Sequence, residues 1–100
     1  MITIVWQFEV APGVEAEFEK QYGPEGTWVQ LFRRDPAFRG TLLLRDYEHP
    51  NRYLTIDRWD DLSSYDAFRK QVEEEYRKLD LQMEKLTLRE DKLGTFEIAG

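Results

Sequence analysis

Residues 53–68 read Tyr53-Leu54-Thr55-Ile56-Asp57-Arg58-Trp59-Asp60-Asp61-Leu62-Ser63-Ser64-Tyr65-Asp66-Ala67-Phe68. The first seven alternate. Tyr53, Thr55, Asp57 and Trp59 fall on one side of an extended chain, and Leu54, Ile56 and Arg58 fall on the other. From Leu62 the period changes: Leu62, Tyr65, Phe68, Val72, Tyr76, Leu79, Met83 and Leu86 step by three or four. That spacing predicts a long amphipathic helix with a candidate break near residues 70–72. Ser63 or Ser64 is the expected cap, and Asp60-Asp61 suits the positive start of the helix. Arg58 and Trp59 therefore stand at a strand-to-helix corner.

Upstream, Ile2-Thr3-Ile4-Val5-Trp6-Gln7-Phe8-Glu9-Val10 also alternates and predicts a strand, closed by Ala11-Pro12-Gly13. Val14, Phe18 and Tyr22 recur every four residues, giving one face of a helix that Gly23-Pro24-Glu25-Gly26 interrupts. Thr27 is the expected cap of a second short helix with Trp28, Leu31 and Phe32 inward, stopped by Asp35-Pro36. Residues 38–47 and 52–59 predict a hairpin around Glu48-His49-Pro50-Asn51. Leu86 to Ile98 predicts a last strand, with Gly94 marking a bulge.

The order is β-α-β-β-α-β, an α+β ferredoxin-like antiparallel sheet with helices on one face. The 100 residues read as a single domain, 1–100. Leu42-Leu43-Leu44 is apolar on both sides of its strand, so the sheet face without helices needs a partner. An identical subunit is the simplest one, and a homodimer is expected.

Composition narrows the chemistry. The net charge of −6 disfavours nucleic-acid phosphates and anionic lipid. RNA recognition by the sheet would need a basic, Gly- and aromatic-rich strand signature that is missing. There is no cysteine and one histidine, which excludes thiolate catalysis, cysteine-bound metal and a multi-histidine site within one chain. No apolar run approaches the ~20 residues of a membrane span, and the N-terminus reads as a strand and not as a leader, so a cytoplasmic location is expected. Aromatics make up 14% of the chain, and such a surplus is buried in a pocket or against a second subunit.

The candidate catalytic residues are Trp59 and Arg58: a flat wall for an aromatic ligand, and a cation for its developing oxyanion. The plain alternative is that Trp59 plugs the core while Arg58 pairs with Asp57, Asp60 or Asp61. Tyr53 and Tyr76 are candidate pocket hydroxyls, and Trp6, Trp28 and Phe68 are candidate pocket walls; core packing is the competing reading for each. His49, before Pro50, suits a solvated turn.

The chain resembles the antibiotic biosynthesis monooxygenase type of the dimeric α+β barrel superfamily. The resemblance rests on Ile2 to Val10 followed by Pro12-Gly13, Tyr22-Gly23-Pro24, Leu31-Phe32-Arg33-Arg34-Asp35-Pro36 and Gly40-Thr41-Leu42-Leu43-Leu44-Arg45-Asp46. Arg52 to Trp59 is the most telling piece, and Leu93-Gly94-Thr95-Phe96 closes the pattern, so that residues 2–98 are covered. It implies a homodimeric barrel with a pocket in each subunit between sheet and helices. It also implies a cofactor-independent oxidation of a small phenol or quinol by molecular oxygen, with the substrate as reductant. Trp59 matches the tryptophan that ends the family's third strand; Arg58 is nominated on chemistry. The haem-degrading branch would want an asparagine, a tryptophan and a histidine where this chain has Trp6 or Gln7, Phe68, and Tyr76 or Lys78, so haem is not expected. The alternative is a non-catalytic barrel that binds a hydrophobic molecule or serves a stress response. An open cavity with convergent polar groups would favour ligand handling over it. A cavity filled by Trp6, Trp28, Phe68 and Tyr76 would favour packing.

Overall fold

The computed structural model describes residues 1–100. Its strands are β1 (Ile2–Val10), β2 (Phe38–Arg45), β3 (Arg52–Trp59) and β4 (Thr87–Glu97). Its helices are α1 (Glu15–Tyr22), α2 (Thr27–Phe32), α3 (Leu62–Gln71) and α4 (Glu73–Met83), with a 3₁₀ turn at Glu84–Leu86. All strand pairs are antiparallel, in the order β2-β3-β1-β4. This is the expected ferredoxin-like arrangement.

The period-two pattern of β1 and β3 sets their register: Ile4 lies opposite Asp57, Trp6 opposite Thr55, and Phe8 opposite Tyr53. Cross-strand partners share a face. These residues therefore look toward the helices together, where Phe18, Tyr22, Trp28, Phe32 and Phe68 meet them in one buried cluster. The cluster is an aromatic chain. Phe18 stacks on Tyr22 at 4.2 Å, Tyr22 meets Trp28 at 5.9 Å, and Trp28 meets Tyr76 at 4.8 Å between ring centroids.

Local details differ from the sequence reading for stated reasons. The cap of α3 is Asp61, whose Oδ1 accepts from the Ser64 amide at 2.7 Å and the Ser63 hydroxyl at 2.9 Å. The serines are thus donors to the cap. Thr27 is already inside α2 behind Gly26, and its hydroxyl bonds the Gln21 side chain. Strand β2 stops at Arg45 because Asp46 Oδ1 turns back to take the amides of Glu48 and His49. The long helical stripe does break, at Val72 (φ −107°, ψ 19°). Phe68 before the break packs on Trp59 at 5.4 Å, whereas Tyr76 after it packs on Trp28.

The opposite face of the sheet has no helix. Leu42 and Val5 both lie beside Ile56, and Leu44 lies beside Leu54. Phe96 lies beside Thr3 on the same side, next to Arg58. Leu42 is 46% exposed and Phe96 50% exposed. No helix is long and apolar enough to cross a membrane.

Candidate active site

Between the sheet and the helices lies a cavity of about 170 Å³. Its walls are aromatic: Trp6 and Phe8 from β1, Tyr22 from α1, Trp28 and Phe32 from α2, and Tyr76 from α4. The period of two brings Thr55 and Asp57 of β3, and Thr41 of β2, to its sheet side. Arg69 enters from α3, and Asp80 and Glu90 stand where α4 and β4 open to solvent.

Asp57 is the chemically distinctive group. It is buried at an inward strand position and forms no ion pair. The Thr41 hydroxyl donates to its Oδ1 at 2.6 Å. Burial pushes its carboxyl up to about 6, against the opposing pull of the Thr41 hydrogen bond. A carboxylate with that affinity for protons is mostly ionised at pH 7 and poised to act as a base.

Four donor side chains face the same space. The Arg69 guanidinium carbon lies 3.5 Å from the centre of the Tyr76 ring, a cation–π contact that holds the side chain over the cavity. Its Nη1 is buried without a partner. Trp28 Nε1 is likewise buried and, near the Tyr22 hydroxyl, forms no well-aligned hydrogen bond within the chain. Burial raises the Tyr22 and Tyr76 phenols well above their ordinary range, so both stay protonated at neutral pH. Buried polar hydrogens without acceptors are costly, and a ligand oxygen in the cavity would satisfy them.

Of the residues singled out in the sequence, Trp6, Trp28 and Tyr76 line this cavity. The others stand elsewhere. Trp59 is fully buried in the core, edge-on to Phe38 at 5.2 Å and to Tyr65 at 5.3 Å. Arg58 points to the helix-free face, as the alternation of β3 requires, with Nη2 lying over Gly40. The positive φ of Gly40 (104°) and its missing side chain leave that space, since a Cβ there would sit 3.2 Å from Nη2. Arg58 pairs with none of the three aspartates considered. Asp60 binds Arg39, Asp61 caps α3 and Asp57 binds Thr41. Tyr53 is buried with its hydroxyl donating to Glu19 Oε2 at 2.5 Å, and Phe68 is buried between Trp59 and Phe32. His49 is in the exposed β2–β3 turn, with Nδ1 3.8 Å from Asp46.

Asp57 and Arg69 were not singled out by sequence reasoning. Asp57 carried a usable signal, being the one charged residue on the inward face of β3. Arg69 carried none, because at the level of sequence it is one more basic residue near a helix end. No group of three His, Asp or Glu side chains is placed to share a metal ion.

Comparison with known proteins agrees with this architecture. A variant of SnoaB from Streptomyces nogalater, described as a cofactor-independent oxygenase, is 25% identical over 99% of this chain and 93% of its own, with a TM-score of 0.73. A Bordetella bronchiseptica protein assigned as an antibiotic biosynthesis monooxygenase is 20% identical over 98% of this chain and 96% of its own, with a TM-score of 0.74. A NIPSNAP domain protein from Burkholderia xenovorans shares the fold at 18% identity, covering 99% of this chain and 95% of its own, with a TM-score of 0.72. No curated protein matches the sequence. A sequence model of antibiotic biosynthesis monooxygenases matches residues 1–78, and the chain belongs to that family.

Proposed function

We propose that this protein is a cofactor-independent monooxygenase acting on a small phenolic or quinol-like compound with molecular oxygen. The observation that carries the reading is Asp57: a buried, unpaired carboxylate in an aromatic cavity that also holds a guanidinium and a free indole N–H. Asp57 takes the acidic proton of the substrate. Arg69 and Trp28 Nε1 stabilise the resulting oxyanion, and the aromatic walls hold the ring away from water. The electron-rich anion passes one electron to oxygen, and the substrate radical and superoxide combine to form a C–O bond. Protonated Asp57 returns its proton as the O–O bond breaks. In sum, the phenolic O–H, one ring C–H and O₂ become the two C=O groups of a quinone and H₂O, with the substrate supplying the electrons. Trp6 and Tyr76 position the ring; Trp59 and Tyr53 act through the packing of the strand that presents Asp57.

The functional unit is a pair of chains. The helix-free face with Leu42, Leu44, Leu54, Ile56 and Phe96 suits a second copy, because apolar sheet faces of this extent are buried in stable proteins.

Oxygen uptake by the purified protein on a panel of hydroquinones, naphthols and anthrones tests the reaction. Enzyme-dependent uptake is expected without added flavin or metal, with kcat/KM rising as pH passes about 6, the value for Asp57. A flat response across the panel would sink the monooxygenase reading. Saturable binding without uptake would then favour a ligand-binding barrel.

A further inference from the structure

The cavity has a charge imbalance that the oxidation does not use. It is lined by three carboxylates, Asp57, Asp80 and Glu90, and by one guanidinium, Arg69. Asp80 and Glu90 face the same cavity and neither is in an ion pair. The two act on each other: Glu90 holds its proton more tightly than an ordinary glutamate, first through partial burial and then through repulsion from Asp80. A cation between them would relieve that repulsion.

The positions of these groups define a length. Asp57 is level with Ile4 on β1, and Glu90 is level with Phe8 on the other side of the same strand. Four residues of strand rise about 13 Å, and both side chains reach inward across that span. Between them stand Trp6, Tyr22 and Tyr76, rings whose faces attract cations as well as arenes. Trp28 supplies the independent sign of a ligand: it is only 7% exposed, lines the cavity, and its Nε1, near the Tyr22 hydroxyl, forms no well-aligned hydrogen bond within the chain. The volume of about 170 Å³ is close to that of cavities known to hold one benzene ring, which is ~150 Å³.

We propose that the ligand is a single-ring phenol carrying a basic amine on a short tail. Its hydroxyl lies at Asp57, Arg69 and Trp28, its ring lies among the aromatics, and its ammonium lies between Asp80 and Glu90 at the mouth. This rests on the reading of Asp57 as the base that meets the hydroxyl, but the ammonium subsite stands on different residues.

The test compares three ligands that differ only in the tail: 4-hydroxyphenethylamine, 2-(4-hydroxyphenyl)ethanol and 4-hydroxyphenylacetate. Binding is followed by calorimetry and by tryptophan fluorescence, and oxygen uptake is recorded separately. The amine is expected to bind about ten-fold tighter than the alcohol, and the carboxylate more weakly than either. The preference should shrink at high salt. It should vanish in the Asp80→Asn/Glu90→Gln variant, which should bind the amine and the alcohol with equal affinity. Both substitutions are at exposed positions and leave the core intact. Equal affinity for amine and alcohol overturns the proposal, as does a preference that survives in the double variant. Binding of none of the three, with uptake on a larger arene, overturns the ligand class while leaving the oxidation standing. The expected preference without oxygen uptake on any substrate supports the ammonium subsite and sinks the monooxygenase reading instead.

Discussion

The two faces of the sheet are built from the same alternating strands and finished in opposite ways. On the helix side, Tyr53, Asp57, Trp59, Ile4 and Phe8 meet side chains from α1 to α3, and the packing stops short only at the cavity. On the other side, Leu42, Leu44, Leu54, Ile56 and Phe96 lie among strand neighbours with no helix over them. The covered face tolerates a buried carboxylate because Thr41 satisfies one oxygen and the cavity leaves room for a ligand at the other. The bare face holds an apolar patch of Leu42, Leu44, Leu54, Ile56 and Phe96 beside Arg58, and a polar end with Gln7, Glu9, Arg52, Arg89 and Asp91. The proposed chemistry thus lies on the covered face and the proposed association on the bare one, and each assignment can be broken separately.

The largest expected effect is at Asp57. Asp57→Asn removes the base and should lower oxygen uptake about 10²–10⁴-fold. The same variant should be more stable than the parent at pH 7. The folded-state value of about 6 lies above the ordinary 3.8. The native state therefore binds the proton more tightly than the unfolded state, and stability falls as pH rises through that window. Two units correspond to about 3 kcal/mol, an upper bound on the gain. Thermal melts at pH 7.5 and pH 4 check it: the advantage of the variant should be present at the first and nearly absent at the second. A variant that is inactive and also destabilised at pH 7 would point to a structural role for the carboxylate.

The next effect belongs to the bare face. Leu42→Glu with Leu44→Glu puts two charges at positions already exposed in the single chain. Folding should change by about 0.5 kcal/mol or less for each. Light scattering should show the parent as a dimer and the variant as a monomer, because burying unpaired charge in an interface costs about 3 kcal/mol or more. A monomeric parent would break the comparison, leaving the apolar face without its proposed occupant. A smaller effect is expected at Trp28→Phe, which keeps the ring in the core and deletes Nε1–H. Loss of one hydrogen bond to a charged ligand oxygen should weaken phenolate binding about ten-fold, as read by fluorescence titration at high pH. No change would mean that the indole N–H faces no ligand oxygen.

Much of the comparison could be read from the sequence, and the unreadable part has a physical cause. Period two in Ile2–Val10 and Arg52–Trp59 fixes which residues share a face, so the element order, the sheet and the bare apolar side of Leu42 and Leu44 all follow from local pattern. The cavity does not, because it lies where side chains from eight elements fail to fill space, and volume is a property of the assembled packing. Trp59 and Arg58 were attractive as neighbours in sequence. Neighbours on a strand point to opposite faces, so the two could not share one wall. Trp59 went to the core and Arg58 to the bare face. Asp57, one position earlier, shares the face of Trp59 and reaches the cavity. Arg69 comes from a helix whose approach to the sheet depends on the turn at Val72, which periodicity locates but does not orient.

The smallest expected effect is the sharpest test of which face does the chemistry. Arg58→Met keeps length and volume while deleting the charge. Arg58 Nε is buried without a partner and the guanidinium is in no ion pair, so the native residue gains little from its charge within the chain. Stability should change by about 1 kcal/mol or less, in the direction of the variant being more stable. Oxygen uptake should stay within about two-fold of the parent, because the side chain is separated from Asp57 by the thickness of the sheet. A ten-fold loss of uptake in a variant that remains folded and dimeric would transfer the oxyanion's cation from Arg69 to Arg58. A loss of uptake that tracked a loss of the dimer would instead show that the bare face supports the covered one through the partner chain.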